Sequence, residues 1–296
     1  MNNVLYFIRS SFHVDLIEQN READELTHLV NLNDNLTIAP SLTCKENVKI
    51  YNFFEAHSIV HTKSVYVKLY DIYMACDFNK VVVFNNYFPY SRHCIDFFTE
   101  KKTIVEMWED GLNHYLNLHH NKLFYLKGLM KLILGHYSKG VFDPDYKRYK
   151  LNIRDRFVNK NLVYKPTVFT DVKDVHGVIF IAQPVVDDGI ITIDKYISGL
   201  CRLAKHYESY PFYYLTHPRE KNKVIDTLVS NGFKVIEVNE SAECYLMRNR
   251  YTINISMFST VICNIFEYRN CKYVPEFFYL EKLNSLIKNS VFNKKD

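Results

Sequence analysis

Short apolar runs of strand composition alternate with longer amphipathic segments along most of the chain, and this alternation constrains the fold more than any other feature. The runs stop at polar, glycine or proline residues, and the segments between them have a helical period. Strands that alternate with helices indicate an α/β fold with parallel, doubly wound sheets. The runs lie at 4–8, 36–38, 80–84, 103–107, 177–182, 212–215 and 233–238.

The length of the chain predicts two such domains. At 296 residues with 48% hydrophobic residues, the chain is long enough for two separate cores. Residues 140–166 have weak periodicity and contain two X-Pro pairs, which is typical of a connection. We therefore predict a first Rossmann-like domain at 1–145, a linker at 146–172 and a second Rossmann-like domain at 173–274. The amphipathic segment 275–296 is predicted to pack back towards the first domain.

Composition excludes several classes of protein. The seven cysteines form no C-x-x-C pair and have an odd total, which fits neither a disulfide framework nor a zinc module. No leader and no apolar run of about 20 residues is present, so we expect neither secretion nor a membrane span. The net charge of +4 is too small to indicate nucleic-acid binding. The basic clusters 147–150 and 294–295 and the helical segment 113–134 are interpreted as surface and packing features, with contact to an anionic membrane as the alternative.

The run 212–215 leads into His217-Pro218-Arg219-Glu220, and a helical pattern follows from Lys221 to Ser230. The carboxyl end of a strand in an open α/β sheet is where ligands bind. Pro218 is predicted to be the first helical residue, which would place His217 beside a helix N-terminus. An imidazole there can donate to a phosphate and transfer a proton near neutral pH. The alternative is a loop histidine that only caps the helix.

Two further strand ends in the first domain carry candidate residues. Ser10 and Ser11 are good N-cap residues for a helical pattern that extends to about Val30, and His13 either faces the ligand crevice or is structural. Glu109 and Asp110 precede Gly111, which allows an unusual backbone angle. Adjacent carboxylates raise each other's cost of ionisation, so one of them is a candidate to accept a proton, unless both are ordinary loop acids.

The second domain adds polar residues at other strand ends. Gln183-Pro184 follows the run 177–182, and the acidic turn with Asp188 precedes a helix from about Asp194 to Tyr207. Glu243 lies at the start of a short helix. Ser259 and Thr260 fall in a strand-to-helix turn, where hydroxyl and backbone N–H groups together can hold a phosphate.

Three of these motifs, in this order, resemble those of a known group of enzymes. Glu109-Asp110-Gly111, His217-Pro218 and Phe258-Ser259-Thr260 resemble the acidic-Gly, His-Pro and Ser-Ser/Thr motifs of bacterial sialyltransferases. The chain resembles most closely the lipooligosaccharide sialyltransferases of glycosyltransferase family 52, which are related to the bacterial capsule polysialyltransferases. Ala182-Gln183-Pro184 and Ala242-Glu243 extend the resemblance. The first loop, Ser10 to His13, departs from the usual Ser/Thr-Pro-x-Gln.

The resemblance implies a GT-B fold, with two Rossmann-like domains facing a cleft and the nucleotide sugar bound by the second. It implies inverting, metal-independent transfer of sialic acid from CMP-sialic acid to a terminal galactose-type hydroxyl of a bacterial lipooligosaccharide or capsule. His217 would donate to the leaving group. The residues expected to hold the donor are Ser259, Thr260, His217 and Pro218 at the phosphate and Glu243 and Gln183 at the nucleotide; Ser11 and His13 are expected on the acceptor side.

The general base is left open between two domains. Glu109 with Asp110 is ranked first, and Asp188 and Asp194 in the second domain are the alternatives. No metal or other cofactor is expected, and the expected partners are a nucleotide-sugar donor and a glycan or glycolipid acceptor. We expect the protein in the bacterial cytoplasm, at the inner face of the membrane if the basic residues contact it, and leave a homodimer open. The alternative functions are transfer from another nucleotide sugar by a GT-B glycosyltransferase and non-catalytic glycan binding.

Overall fold

The computed structural model describes residues 2–33, 36, 38, 45–53, 59–116, 129–136, 151–290 and 292. The chain divides into two compact units, Met1–Tyr164 and Lys165–Asp296, and the division falls inside the predicted linker 146–172. Each unit contains one parallel sheet with helices in the connections. The α/β class with two parallel sheets is therefore confirmed.

The first unit is built on a six-stranded sheet in which all neighbouring strands are parallel. The strands lie in the order β3-β2-β1-β4-β5-β6. The sheet consists of β1 (Asn2–Ile8), β2 (Glu25–Asn31), β3 (Val48–Asn52), β4 (Lys80–Val83), β5 (Ile104–Trp108) and β6 (Asn152–Arg154). Val4 to Ile8 are all buried, because helices and loops cover a central parallel strand on both faces.

The helices of the first unit are α1 (Ser11–Asn20), α2 (Ile59–Ala75), α3 (Pro89–Glu100) and α4 (Leu112–Leu116) in its described part. Residues 129–133 are also helical. Trp108 lies fully buried in the core that contains β1 and α1. Its ring contacts Tyr6 and Phe84 edge-on at centroid distances of 5.6 and 6.1 Å. Its indole N–H donates to Glu106 Oε2 at 2.8 Å, so the one polar group of this ring is satisfied.

The second unit has a five-stranded parallel sheet in the order β11-β10-β7-β8-β9. Its strands are β7 (Lys173–Ile181), β8 (Phe212–Leu215), β9 (Lys234–Ile236), β10 (Asn249–Ser256) and β11 (Cys271–Tyr273). Its helices are α5 (Ile193–His206), α6 (Asn222–Ser230), α7 (Ala242–Arg248), α8 (Thr260–Ile265) and α9 (Glu281–Lys288), with a 3-10 turn at Pro275–Phe278.

The 3-10 turn packs on α5 at Gly199. A Cβ at Gly199 would lie 2.5 Å from the Phe278 ring, so only glycine allows this approach. Phe278 is buried in the core between the sheet and α5, together with Phe180 and Tyr196. This contact fixes the start of segment 275–296 to the second unit; its predicted packing towards the first domain stays a prediction.

Two of the predicted elements in the first domain are wrong. The helical pattern that was expected to reach Val30 stops at Asn20, and residues 25–31 form β2 instead. Leu29 and Val30 are buried because β2 pairs with both β1 and β3, so tertiary pairing overrides the helical spacing. Leu36 and Ile38 lie outside any strand, and residue 37 lies outside the described part of the chain. The third strand is β3, whose half-exposed side chains gave little apolar signal.

Three further segments complete the comparison with the predicted elements. Residues 152–154, within the predicted linker, form β6 at the edge of the first sheet. The predicted helix 113–134 is helical at 112–116 and 129–133, and residues 117–128 lie outside the described part. The basic clusters 147–150 and 294–295 lie outside it as well. None of the described helices has the length and apolar character needed to cross a membrane.

Candidate functional site

The strand order reverses once in each sheet, and the strand ends at these points carry the candidate residues. In the first sheet the reversal falls between β1 and β4, and in the second between β7 and β10. Loops leave such a pair of strands in opposite directions and open a crevice at their carboxyl ends.

In the second unit, Gln183 follows β7 and Ser259 follows β10, so both lie at the reversal. Gln183 Nε2 donates to Ser259 Oγ at 3.3 Å. Ser259 is also the N-cap of α8, because its Oγ accepts the Val261 N–H at 3.2 Å. The hydroxyl thus accepts two hydrogen bonds, and within the described residues no group accepts its own proton. Thr260 is the first residue of α8.

His217 lies two residues beyond β8 and is half-buried. Its Nδ1 accepts the Arg219 N–H at 3.1 Å, which leaves the ring proton of the neutral imidazole on Nε2. Burial lowers the pKa of His217 to about 4, with a contribution from the Arg219 charge and a smaller opposing effect from Asp188. The ring is therefore neutral at pH 7 and offers Nε2–H as a hydrogen-bond donor.

Glu220 holds the backbone of His217 in place. Its Oε2 accepts the His217 N–H at 2.8 Å, and its Oε1 accepts the Tyr214 hydroxyl at 2.6 Å. The Tyr214 hydroxyl in turn lies 2.8 Å from that of Tyr196, and both rings are fully buried. Burial raises the pKa of Glu220 to about 7, although the hydrogen bonds from Tyr214 and His217 lower it. We call Gln183, His217, Glu220 and Ser259 the second-unit site.

The prediction that Pro218 begins the next helix is wrong. Pro218 lies in an exposed turn, and α6 begins at Asn222, so His217 does not stand at a helix N-terminus. The reason is that side chains fix the intervening turn: Asp187 Oδ2 accepts the Lys221 N–H at 3.1 Å, and Glu220 accepts that of His217. Pro218 itself has no N–H to offer a phosphate.

The other predicted residues of the second unit lie nearer its surface. Asp188 is exposed and accepts both terminal nitrogens of Arg219, at 3.3 and 3.2 Å. Asp194 is exposed in the first turn of α5. Glu243 lies in the first turn of α7 as predicted, and its Oε1 accepts Asn264 Nδ2 at 2.9 Å, which connects α7 to α8.

In the first unit, Asp110 is held by two side chains from other strand ends. His13 Nε2 lies 2.8 Å from Asp110 Oδ1, and the Tyr87 hydroxyl donates to Oδ2 at 3.0 Å. His13 Nδ1 accepts the Arg9 N–H at 3.1 Å, so Nε2 carries the proton towards the carboxylate. The buried His13 ring stacks on Phe84 at 3.8 Å. We call His13, Tyr87 and Asp110 the first-unit site.

Asp110 is ionised rather than protonated. Burial alone would raise its pKa, but the hydrogen bonds from His13 and Tyr87 and the Arg9 charge outweigh burial and lower the pKa below its usual value. An ionised Asp110 is in the state that a proton acceptor needs, and its role as the base stays a prediction. Gly111 has a φ of 59°, which confirms the expected unusual backbone angle after this residue.

Glu109 points into the core and is committed to other groups. It is fully buried, its Oε1 accepts Arg156 Nε at 2.7 Å, and its Oε2 accepts the Arg156 N–H at 2.8 Å and the Tyr115 hydroxyl at 2.5 Å. Of the two acids ranked first together, Glu109 is fully buried with both oxygens bonded, so Asp110 is the one that keeps the candidate role. Ser11 is exposed at the start of α1, whereas His13 is buried and acts on any ligand only through Asp110.

Sequence reasoning missed Tyr87, Tyr214 and the role of Glu220. The first two had no local signal, because each is one of 23 tyrosines and its partner is set by the fold. Glu220 did have one: an acid three residues after a residue whose N–H needs an acceptor is the spacing of a capping box.

The model of glycosyltransferase family 52 matches residues 145–276. Comparison with curated proteins finds no match. Among solved structures, an alpha/beta-galactoside alpha-2,3-sialyltransferase from the luminous marine bacterium Photobacterium phosphoreum is 11% identical with a TM-score of 0.51, over 97% of this chain and 95% of that one. The UDP-GlcNAc 2-epimerase of Methanocaldococcus jannaschii, in complex with UDP-GlcNAc and UDP, is 14% identical with a TM-score of 0.53, over 99% and 93%. Arabidopsis thaliana UGT89C1 complexed with UDP-L-rhamnose is 11% identical with a TM-score of 0.55, over 97% and 82%.

At these identities the solved structures establish the fold, and the GT-B class is confirmed in its two parallel-sheet α/β units; the cleft between them stays a prediction. The family match is more specific, because its residues include Gln183, His217, Glu243, Ser259 and Thr260. The resemblance predicted from the motifs is confirmed over residues 145–276, which match the model of glycosyltransferase family 52.

Proposed function

We propose that the protein transfers sialic acid from CMP-sialic acid to a terminal galactose-type hydroxyl of a bacterial lipooligosaccharide or capsule, with inversion and without a metal ion. The observation that carries the proposal is the state of His217, whose Nδ1 is occupied by the Arg219 N–H and whose Nε2–H is left for a ligand. The family 52 match around this residue supports the same reaction class.

The second-unit site suits a leaving group with one phosphate. As the bond between the anomeric carbon and the phosphate oxygen breaks, negative charge develops on that phosphate, and His217 Nε2–H donates to it. An adjacent anion raises the low pKa of His217, so the ring takes up a proton more readily when the donor is bound, and the resulting imidazolium can donate to the leaving phosphate. The free proton of Ser259 and the groups at the start of α8 supply further donors. The chemistry needs no divalent ion, because these groups balance the charge.

The first-unit site suits the acceptor side of the same reaction. A sugar hydroxyl that attacks the anomeric carbon loses its proton, and ionised Asp110 is the carboxylate proposed to accept it. His13 and Tyr87 orient Asp110, and each donates to a different oxygen. The alternative base in the second unit is Asp188, which is paired with Arg219 next to His217. Asp194 ranks below both because, among the described residues, no hydrogen bond or ion pair joins it to His217 or Arg219.

The proposed setting is the cytoplasmic face of a bacterial membrane, where the mildly basic chain would meet its glycolipid acceptor. Cell fractionation tests this part: release of the protein from membranes by salt is expected, and a wholly soluble protein at low salt would contradict it. A homodimer stays a prediction.

The test of the reaction is CMP release from CMP-sialic acid in EDTA, with and without lactose, for the wild type, His217→Ala and His176→Ala. His176 is exposed on β7, towards the end of the strand opposite Gln183, and serves as the control. We expect release that lactose stimulates, a loss of about 10²–10⁴-fold in His217→Ala and wild-type rates in His176→Ala. Release only from a UDP- or GDP-sugar in the same assay would move the proposal to another donor. Wild-type activity that is present without EDTA and lost in EDTA would contradict metal independence.

A further inference from the structure

Arg9 stands at the strand end beside the first-unit site, and its backbone is part of that site. It follows β1, the strand at which the order of the first sheet reverses. Its N–H donates to His13 Nδ1 at 3.1 Å, and its carbonyl oxygen accepts Asn33 Nδ2 at 2.8 Å. The residue is therefore fixed in position by the same contacts that orient His13.

The side chain of Arg9 has no hydrogen-bond or ion-pair partner among the described residues. Its Nε is buried and makes no hydrogen bond, and no carboxylate forms an ion pair with it. Arg9 as a whole is only half-buried, and no hydrogen bond of its terminal nitrogens is found among the described residues. The guanidinium carbon lies 3.9 Å from the centroid of the Phe88 ring, which holds the plane of the fork in one orientation. An arginine immobilised in this way, with unused donors, is prepared for an anion.

The backbone of Arg9 is connected to Asp110 through His13, which accepts the Arg9 N–H and contacts Asp110 Oδ1, and the Arg9 charge helps to lower the pKa of that carboxyl. Arg156 differs from Arg9, because it forms an ion pair with Glu109 in the core of the same unit. Asp110 does not neutralise Arg9 in this way, as its oxygens are taken by His13 and Tyr87. A cation with free donors and an ionised base thus share one strand-end region.

We propose that Arg9 binds the carboxylate of a sugar substrate beside Asp110. This inference rests on the proposed function, under which the transferred sugar is a sialic acid and carries a carboxylate at its anomeric carbon. The planar fork of arginine matches a carboxylate through two parallel hydrogen bonds. The carboxylate has two sources, the sialic acid of the donor and the terminal sialic acid of an already sialylated acceptor, and the experiment separates them.

The variants are Arg9→Gln, Arg9→Lys and the control Lys63→Gln. Lys63 is exposed on α2, so its variant makes the same change of charge without touching the strand ends. Binding of lactose and of sialyllactose is measured by calorimetry without donor, and the KM for CMP-sialic acid is measured by CMP release. Circular dichroism and thermal unfolding confirm that each variant is folded.

If the carboxylate comes from the acceptor, Arg9→Gln weakens sialyllactose binding by about tenfold or more and leaves lactose binding within about twofold. If it comes from the donor, the KM for CMP-sialic acid rises by a similar factor while both acceptors bind as before. Arg9→Lys is expected between the wild type and Arg9→Gln, because lysine keeps the charge but loses the fork. Lys63→Gln is expected to match the wild type.

The inference is overturned if Arg9→Gln changes neither quantity, or if it weakens lactose and sialyllactose equally at an unchanged donor KM. Its failure is distinguishable from that of the proposed function. If the wild type releases CMP from CMP-sialic acid and Arg9→Gln behaves like the wild type, the proposed function stands and the role of Arg9 is rejected. If the wild type releases no CMP and binds neither lactose nor sialyllactose, both the proposed function and the role of Arg9 are rejected.

Discussion

His13 and His217 make the same first contact and then differ. Each accepts a backbone N–H at Nδ1 over 3.1 Å, from Arg9 in the first unit and from Arg219 in the second. Nε2 of His13 is bound to Asp110 at 2.8 Å, whereas Nε2 of His217 has no partner among the described residues. The backbone therefore sets the same tautomer in both rings. What lies beyond Nε2 makes one ring a positioning group and leaves the other for a ligand.

The two sites also treat their acids in opposite ways. In the first-unit site, polar and cationic neighbours lower the pKa of Asp110, so it is ionised and able to accept a proton. In the second-unit site, burial raises the pKa of Glu220 to about 7, and its oxygens are used to hold His217 and Tyr214. Asp110 is therefore suited to accept a proton, whereas Glu220 positions the residue that donates one.

The largest expected effect separates Asp110 from Glu109. Asp110→Asn should lower the turnover of the transferase by about 10²–10⁴-fold, because it removes the proton acceptor and keeps the shape. It should cost about 1–3 kcal/mol of stability, because the amide NH2 replaces an oxygen that accepts from His13 or Tyr87. Glu109→Gln should lower the free energy of unfolding by about 3–5 kcal/mol, because it leaves Arg156 buried without its charge partner. Kinetics and chemical denaturation of both variants measure this. A folded, fully active Asp110→Asn would move the base to the second unit, with Asp188→Asn as the next variant.

The next effect concerns Glu220 and pH. Its pKa is about 7 in the folded protein against 4.5 as its ordinary value, so between these values the folded state binds more protons than the unfolded state. Stability from this group is complete below pH 4.5 and is lost as pH rises through 7. The shift corresponds to a pH-dependent contribution of about 3 kcal/mol to the free energy of unfolding, and Glu220→Gln should remove this pH dependence.

Denaturant unfolding of the wild type and Glu220→Gln at pH 4.5 and pH 8 checks this. The difference in unfolding free energy, wild type minus variant, should fall by about 3 kcal/mol between the two pH values. A difference independent of pH would show that Glu220 is ionised at both, and the contrast between the two acids would be lost.

A smaller effect is expected for His13→Phe, which keeps the stacking on Phe84 and removes both hydrogen bonds of the ring. Turnover should fall by about 10–100-fold, since Asp110 loses the donor that orients it. The acid limb of the pH–rate profile should move to higher pH, because without His13 the pKa of Asp110 rises. A loss of rate with an unmoved acid limb would mean that His13 is only structural.

The smallest expected effect is at Ser259, where a cap and a ligand role can be separated. Ser259→Ala should cost about 1 kcal/mol of stability, whereas Ser259→Gly should cost a few tenths, because glycine is tolerated as an N-cap. Both variants lose the hydroxyl, so both should raise the KM for CMP-sialic acid by about the same factor, of the order of tenfold. If the KM rises more in Ser259→Ala than in Ser259→Gly, in parallel with the loss of stability, Ser259 acts only as the N-cap of α8.

The sequence was informative where a signal is local. Apolar runs located the central strands β1, β4, β7 and β8 and the turns that end at His217 and Ser259, because a parallel strand covered on both faces has a continuous apolar run. The edge strand β3 and the short strand β6 were missed, since their half-exposed residues give no such run. Residues 25–31 kept a helical spacing that pairing with β1 overrode.

The site contacts could not be predicted, because they join residues far apart in the chain. His13 meets Asp110 across 97 positions, and Glu109 meets Arg156 across 47. Two adjacent acids of equal local appearance therefore acquire different roles, one buried in an ion pair and one at a strand end. Only the fold decides which of them a substrate can reach.

The packing of Trp108 has a practical consequence for folding studies. It is the only tryptophan of the chain and lies in the core of the first unit, with its indole N–H on Glu106. Indole emission therefore follows denaturation of the first unit alone, whereas far-ultraviolet circular dichroism follows helices and strands of both. Coincident transitions would indicate one cooperative system, and separate ones two autonomous folding units. One natural residue thus serves as a unit-specific spectroscopic probe without any label.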